Sequence, residues 1–133
     1  LPKWDDNSFT PGLFSADTPR AKETITDFLK RVRREKLIFS AHGPDSIVGV
    51  TEDKKGSRTL FVNGNPNTSH ADLTVRLLNA VIPLSLVPEP DSAFIIGLGA
   101  GLSASTILNE PSIRNLEIAE ISKGVIEAQP YFS

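Results

Sequence analysis

The 133-residue sequence contains no cysteine and no methionine. Without cysteine the chain has no disulfide, no thiolate-ligated zinc site and no thiol nucleophile, so redox arguments leave its compartment open. No apolar run is long enough to cross a bilayer. A net charge of −2 gives no electrostatic case for a nucleic-acid partner. The two histidines, His42 and His70, lie in polar loop sequence, and nothing resembles a metal site.

The most informative stretch is 93–105, A-F-I-I-G-L-G-A-G-L-S-A-S. Four apolar residues at 93–96, bounded by turn residues, predict a short strand buried on both faces, as in a parallel sheet. Gly97, Gly99 and Gly101 follow, and their missing side chains allow a tight turn that a ligand can approach closely. Residues 102–109 are helix-compatible, and a first helical turn offers unpaired N–H groups. The stretch therefore predicts strand, glycine turn and helix, with a polar ligand at the turn.

The spacing of the glycines narrows the ligand class. The dinucleotide pattern G-x-G-x-x-G would need glycine at 102, where the chain has Leu102. The pattern G-x-G-x-G is the form of this loop in enzymes that bind S-adenosylmethionine or its relatives. A second predicted strand at 115–119 ends at Glu120, about where a ribose-binding acid is expected. We therefore expect Glu120 to accept hydrogen bonds from both ribose hydroxyls of an adenosine. The alternative is a tight connection beside a surface glutamate.

The rest of the chain divides into three parts. Residues 1–17 form a lead-in segment, residues 18–68 a helix and a small β-sheet unit, and residues 69–133 the first part of a Rossmann-like nucleoside-binding domain. A helix is predicted to begin at Asp17 or Thr18. Three short strands are predicted at 37–41, 46–51 and 58–62, and the run 63–67 is predicted to break the sheet.

Capping residues mark the later helices. Ser69 is expected to cap a helix with Asp72 at its third position, in the manner of a capping box. Pro83 is compatible with a kink or a break in that helix, and the prolines at 88 and 90 end it. Ser122 is the expected N-cap of a last helix over 123–131.

The predicted parallel sheet has only two strands. Two parallel strands cannot bury both faces well, so we expect a fragment, or a form completed by a partner. Open strand edges tend to pair with another chain, which makes a homo-oligomer one expectation.

Four motifs in order resemble the spermidine synthase family of polyamine aminopropyltransferases: V-N-G-N-P-N-T-S-H-A-D-L, V-I-P-L-S-L-V-P-E-P, F-I-I-G-L-G-A-G and E-I-S-K-G-V-I-E-A-Q-P-Y-F. The resemblance covers most of the chain from about residue 37. It implies an α/β fold: a small N-terminal β-hairpin unit, then the first half of a Rossmann-like fold of the S-adenosylmethionine-dependent methyltransferase type. The opening L-P-K-W-D-D-N-S-F-T-P-G-L-F resembles, more loosely, the junction of bacterial members in which this domain follows a membrane-spanning region. A cytoplasmic domain, tethered where the parent carries that region, is implied.

The resemblance also implies roles for individual residues. Gly97, Gly99 and Gly101 would cradle the donor, decarboxylated S-adenosylmethionine or S-adenosylmethionine. Glu120 would bind its ribose, with Ile121 beside the adenine. Asp72 falls where the family has acidic residues near the entrance, although its role as a helix N-terminal acid is an equal alternative. The acceptor would be a small amine, no metal is implied, and the catalytic residues are expected beyond Ser133.

Two departures from the family pattern bear on the chemistry. Ala100 stands where spermidine synthases have an aspartate that contacts the donor amine. With the helix aligned on Pro83, Arg76 replaces the usual glutamine or histidine and Val75 the usual tyrosine; alignment on Asp72 shifts this by one residue. An arginine there would repel a polycationic amine and attract a carboxylate, which favours a carboxylated donor or a substrate other than putrescine. Three hypotheses follow: an aminopropyltransferase whose donor-binding half lies here, a methyltransferase or other S-adenosylmethionine enzyme, and a non-catalytic module on the same fold.

Overall fold

The computed structural model describes residues 35–68 and 73–132, together with Thr24, Thr26, Asp27 and Lys30. The predicted lead-in segment and Asp72 lie outside these residues, as does most of the predicted first helix. Two sheets organise the described chain: an antiparallel sheet and, after it, a parallel sheet with helices. This is the α/β class that the sequence predicts.

The first sheet has four antiparallel strands in the order β1, β2, β3, β4. Their bounds are β1 Lys36–His42, β2 Ile47–Glu52, β3 Arg58–Val62 and β4 Asn65–Thr68. Side chains alternate across a strand, so Val48 and Val50 share one face of β2. Both are fully buried, as is Leu60 of β3, whereas Ile47 is exposed. This face of the sheet forms the core.

The fourth strand corrects the sequence prediction that residues 63–67 break the sheet. Asn63 and Gly64 both have positive φ, 50° and 77°, and form a two-residue turn that returns the chain along β3. Asn-Gly is the strongest short hairpin signal, because both residues tolerate this backbone conformation. Pro66 fits because β4 pairs only with β3 among the described strands, and an edge strand tolerates a missing N–H.

The second unit alternates helices and strands. In order they are α1 Leu73–Leu86, β5 Ser92–Ile96, α2 Leu102–Leu108, β6 Asn115–Ala119, α3 Lys123–Glu127 and a short 3₁₀ helix Gln129–Tyr131. β5 and β6 are parallel neighbours. α1 continues through Pro83. The predicted last helix is divided in two before Pro130, and Ser122 caps its first part, as predicted. No helix of the described residues is long and apolar enough to span a membrane.

The prediction that β5 is buried on both faces is wrong for the described chain. Phe94 is 62% exposed and Ile96 is 85% exposed, while Ala93 and Ile95 on the other face are half-buried. β6 is the only strand that pairs with β5 in the part that the structure describes. A face of a strand is covered only by elements that pack on it, and among the described residues the face with Phe94 and Ile96 lacks such cover.

The buried core joins the two units. Val125 of α3 and Ala128 beyond it pack with Val48, Val50 and Leu60 of the first sheet. The side chains around this cluster include Phe39 and Tyr131, whose ring centroids are 5.2 Å apart. α3 therefore holds the start of the Rossmann-like unit against the antiparallel sheet. The boundary at residue 68 stays a prediction, and the buried cluster draws on both sides of it.

We expect Gly124→Ala to lower the free energy of unfolding by about 1–3 kcal/mol, the usual cost of overpacking. A Cβ at Gly124 would lie 2.9 Å from Val48 Cγ2 and 3.3 Å from Ala41 Cβ. Val48 is fully buried and has no room to move away. Chemical denaturation of the full-length protein measures the change, with Lys123→Ala at the exposed neighbouring position as the control. Equal stability of the two variants would contradict this account of the packing.

Candidate nucleoside-binding site

A cleft of about 540 Å³ opens at the carboxyl ends of β5 and β6. Ligands of open α/β sheets bind outside this edge, where the strands end and the loops begin. One wall is the glycine turn after β5, and a second is the segment from Glu120 to Ser122. The β2–β3–β4 region of the antiparallel sheet contributes a third wall through Asn63 and Asn67. The cleft therefore lies between the two units.

The glycine turn has three residues with positive φ: 86° at Gly97, 55° at Gly99 and 78° at Gly101. Gly97 and Gly99 line the cleft, and a Cβ on Gly97 would meet no atom within 4 Å. Gly101 does not line it. A Cβ there would lie 2.9 Å from Gln129 Oε1, so this glycine makes room for a neighbouring side chain. The first two glycines expose backbone to the cleft, and the third allows close packing behind it.

Glu120 lies directly on this turn. Its Oε2 accepts a hydrogen bond from the Leu98 N–H at 2.8 Å, and its Oε1 accepts one from the Ser122 N–H at 2.8 Å. A carboxylate oxygen has two lone pairs, so each oxygen keeps capacity for a second donor. The structure thus brings Glu120 and the glycine turn together at the cleft. Ile121 follows it on the cleft wall with 91% of its surface exposed.

Gln129 supports the turn from the other side. Its Nε2 donates to the Gly99 carbonyl oxygen at 2.8 Å and to the Val125 carbonyl oxygen at 2.9 Å. The sequence does not predict that Gln129 contacts the glycine turn. Its contact spans thirty positions, and the only sequence signal is a polar side chain near the end of an otherwise apolar helix face.

Two polar side chains of the antiparallel sheet unit lie beside the glycine turn and the segment 120–122. The Ser46 and Ser122 hydroxyls lie 2.7 Å apart in a buried hydrogen bond. The Asn67 Oδ1 atom lies 3.7 Å from the position that a Cβ on Gly99 would take. Neither Ser46 nor Asn67 was predicted as part of the site, because both belong to the sheet unit and meet the turn only in three dimensions.

Arg76 of α1 also lines the cleft. Its Nη2 donates to the main-chain carbonyl oxygen of Asn67, and its own carbonyl oxygen accepts from the Ser103 hydroxyl at 3.1 Å. Its Nε atom is buried without a hydrogen-bond partner. The two ion pairs of the described residues, Arg58–Glu52 and Lys123–Glu127, do not involve it. Within 35–68 and 73–132, no group of three or more side chains is arranged to hold a metal ion.

The similar proteins of known name are transferases named for polyamines or putrescine. No protein-family model matches the chain. It is 27% identical over 96 residues to a polyamine aminopropyltransferase of Leptospira biflexa, covering 71% of this chain and 34% of that protein. It is 28% identical over 127 residues to putrescine N-methyltransferase 1 of Nicotiana attenuata, covering 95% of this chain and 32% of that protein. The chain thus spans about a third of the length of these relatives.

Two solved structures superpose on most of the chain. A spermidine synthase in complex with the transition-state analogue AdoDATO matches with a TM-score of 0.66 and 22% identity, over 73% of this chain and 33% of that one. The spermidine synthase of Thermotoga maritima matches with a TM-score of 0.66 and 23% identity, over 71% of this chain and 33% of that one. The chain is therefore spermidine synthase-like in fold, a Rossmann-like methyltransferase-type unit behind an antiparallel hairpin sheet.

Proposed function

We propose that this chain forms the donor-binding half of a transferase that moves an alkyl group from an adenosyl sulfonium compound to a small amine. One observation carries the proposal: the Glu120 carboxylate is held on the glycine turn by the Leu98 N–H, at the wall of an open cleft. The two hydroxyls of a ribose need two hydrogen-bond acceptors, and the sugar needs room beside the backbone. The two carboxylate oxygens of Glu120 and the glycine turn at the cleft supply these. Similarity to proteins named polyamine aminopropyltransferase and putrescine N-methyltransferase supports an amine as the acceptor class.

The reaction is an in-line displacement at carbon. The amine nitrogen uses its lone pair to form a bond to a carbon attached to the sulfonium. The carbon–sulfur bond breaks, and its electron pair returns to sulfur, which becomes a neutral thioether. The amine proton is lost to a base. Because the donor is already activated, the residues of this chain contribute orientation of the adenosyl group, and the general base is a separate requirement.

Two donors fit this scheme. Decarboxylated S-adenosylmethionine would transfer an aminopropyl group, which is the reaction that the resemblance to spermidine synthases implies. S-Adenosylmethionine would transfer a methyl group. Ala100 favours this second donor, because at the cleft wall it offers an aminopropyl ammonium neither a charge nor a hydrogen-bond acceptor. A non-catalytic module that keeps the fold for another binding or assembly role is the third hypothesis.

Calorimetry and product analysis on the full-length protein test the proposal. We expect binding of at least one of the two donors, and transfer to putrescine in the presence of that donor. Binding of neither donor would overturn the proposal and leave the non-catalytic module. Residues 1–133 alone are expected to give no product, because they span only about a third of the relatives' length. Self-association through open strand edges of the parallel sheet, a membrane tether and the role of Asp72 stay predictions.

A further inference from the structure

We propose that Arg76 binds the carboxylate of the donor's methionyl arm, so that the site selects S-adenosylmethionine over its decarboxylated form. The inference rests on the proposed adenosyl site and adds the identity of the donor to it. It comes from a cation at the cleft: Arg76 lines the cleft and has no acidic partner among the described residues.

Arg76 and Glu120 line the same cleft, beside the glycine turn. The Arg76 guanidinium is fixed to the Asn67 carbonyl, and the Asn67 side chain lies 3.7 Å from the Cβ position of Gly99. Glu120 is bonded to Leu98, the residue before Gly99. A ligand lying over this turn therefore meets a carboxylate from β6 and a guanidinium from α1.

The donor carries complementary groups at its two ends. Its ribose hydroxyls donate hydrogen bonds and suit Glu120. The end of its methionyl arm holds an ammonium and a carboxylate in S-adenosylmethionine, but an ammonium alone in the decarboxylated compound. A guanidinium attracts the carboxylate through charge-assisted hydrogen bonds and repels an isolated ammonium at the same distance. Arg76 thus discriminates between the two donors by the presence or absence of a single carboxylate.

The fixed position of Arg76 strengthens this argument. One of its five N–H groups is occupied by the Asn67 carbonyl, which holds the guanidinium plane without neutralising it. The Nε–H is buried and closed to a ligand, so the donors that remain for one are N–H groups on the two Nη atoms. A carboxylate supplies two acceptor oxygens, which match a pair of guanidinium N–H groups.

Calorimetry on the full-length protein with three ligands tests the inference. S-Adenosylmethionine has the carboxylate, its decarboxylated form lacks it, and 5′-methylthioadenosine lacks the whole arm. We expect the wild type to prefer S-adenosylmethionine over the decarboxylated donor by about 10- to 100-fold, the ratio of one charged hydrogen-bond pair. Arg76→Gln should remove this preference and leave the affinity for 5′-methylthioadenosine unchanged within about twofold. Arg114→Gln, at an exposed site, is the matched control and should retain the preference.

The outcomes separate this inference from the proposed function. If 5′-methylthioadenosine and both donors fail to bind the wild type, the adenosyl site itself is wrong. If they bind but the wild type prefers the decarboxylated donor, or Arg76→Gln leaves the preference intact, only the role of Arg76 is wrong. Arg76→Lys keeps the charge without the fork, so partial recovery of the preference is expected. Loss of affinity for all three ligands in Arg76→Gln, with the fold intact by circular dichroism, would instead assign Arg76 a structural role and overturn the inference.

Discussion

Replacing Glu120 by glutamine is expected to weaken binding of 5′-methylthioadenosine to the full-length protein by about 10- to 100-fold. The wild-type carboxylate accepts from the Leu98 and Ser122 N–H groups with its two oxygens. A glutamine has one acceptor oxygen, and its amide donates, so one of these N–H groups loses its partner. The ribose hydroxyls would lose a charged acceptor in the same change. Calorimetry of the variant and the wild type gives the ratio.

A second ligand separates recognition of the ribose from support of the turn. The 2′,3′-dideoxy form of 5′-methylthioadenosine lacks both hydroxyls. The wild type should prefer the hydroxylated compound, and Glu120→Gln should lose this preference, whereas Glu117→Gln, exposed on the same strand, should keep it. An unchanged preference in Glu120→Gln, with lower thermal stability, would mean that Glu120 only braces the turn against α3.

Local rules were sufficient to bring Glu120 to the glycine turn. The apolar run at 93–96 and the strand pattern at 115–119 predict two neighbouring parallel strands, and parallel strands end at the same edge of a sheet. The side chain that follows β6 therefore lies beside the loop that follows β5, as the 2.8 Å contact between Glu120 and Leu98 shows. What this carboxylate binds stays a prediction.

Features of the structure that the sequence does not predict are those with an ambiguous local signal and those that depend on contacts between distant residues. Asn63-Gly64 was interpreted as a break in the sheet, although the same pair closes a hairpin, and the register with β3 decides between the two. Gln129 and Asn67 reach the turn from thirty or more positions away, and nothing in their own neighbourhoods indicates it. The exposure of β5 depends on which elements pack on its two faces, so its apolar sequence alone could not predict it.

Replacing Gly101 by alanine is expected to lower both stability and donor affinity. At φ 78° a side chain costs about 1–2 kcal/mol of backbone strain. The new Cβ would also lie 2.9 Å from Gln129 Oε1, and displacing Gln129 removes the hydrogen bond that holds the Gly99 carbonyl. We therefore expect a total loss of about 2–5 kcal/mol in the free energy of unfolding, the sum of the strain and of the two Gln129 hydrogen bonds that are lost. Chemical denaturation measures the change in stability, and calorimetry with 5′-methylthioadenosine measures the change in affinity for the adenosyl group.

Gly56 provides a control with the same backbone strain and no neighbour. Its φ is 79°, and a Cβ there would meet no atom within 4 Å, so Gly56→Ala should cost strain alone and leave donor affinity unchanged. In a Gln129→Ala background the clash is gone, and Gly101→Ala should then cost no more than Gly56→Ala does. The difference between the two backgrounds is the coupling energy of Gly101 and Gln129, expected to be about 1–3 kcal/mol. A coupling near zero would mean that Gln129 moves aside freely, and the glycine turn would then keep its shape without it.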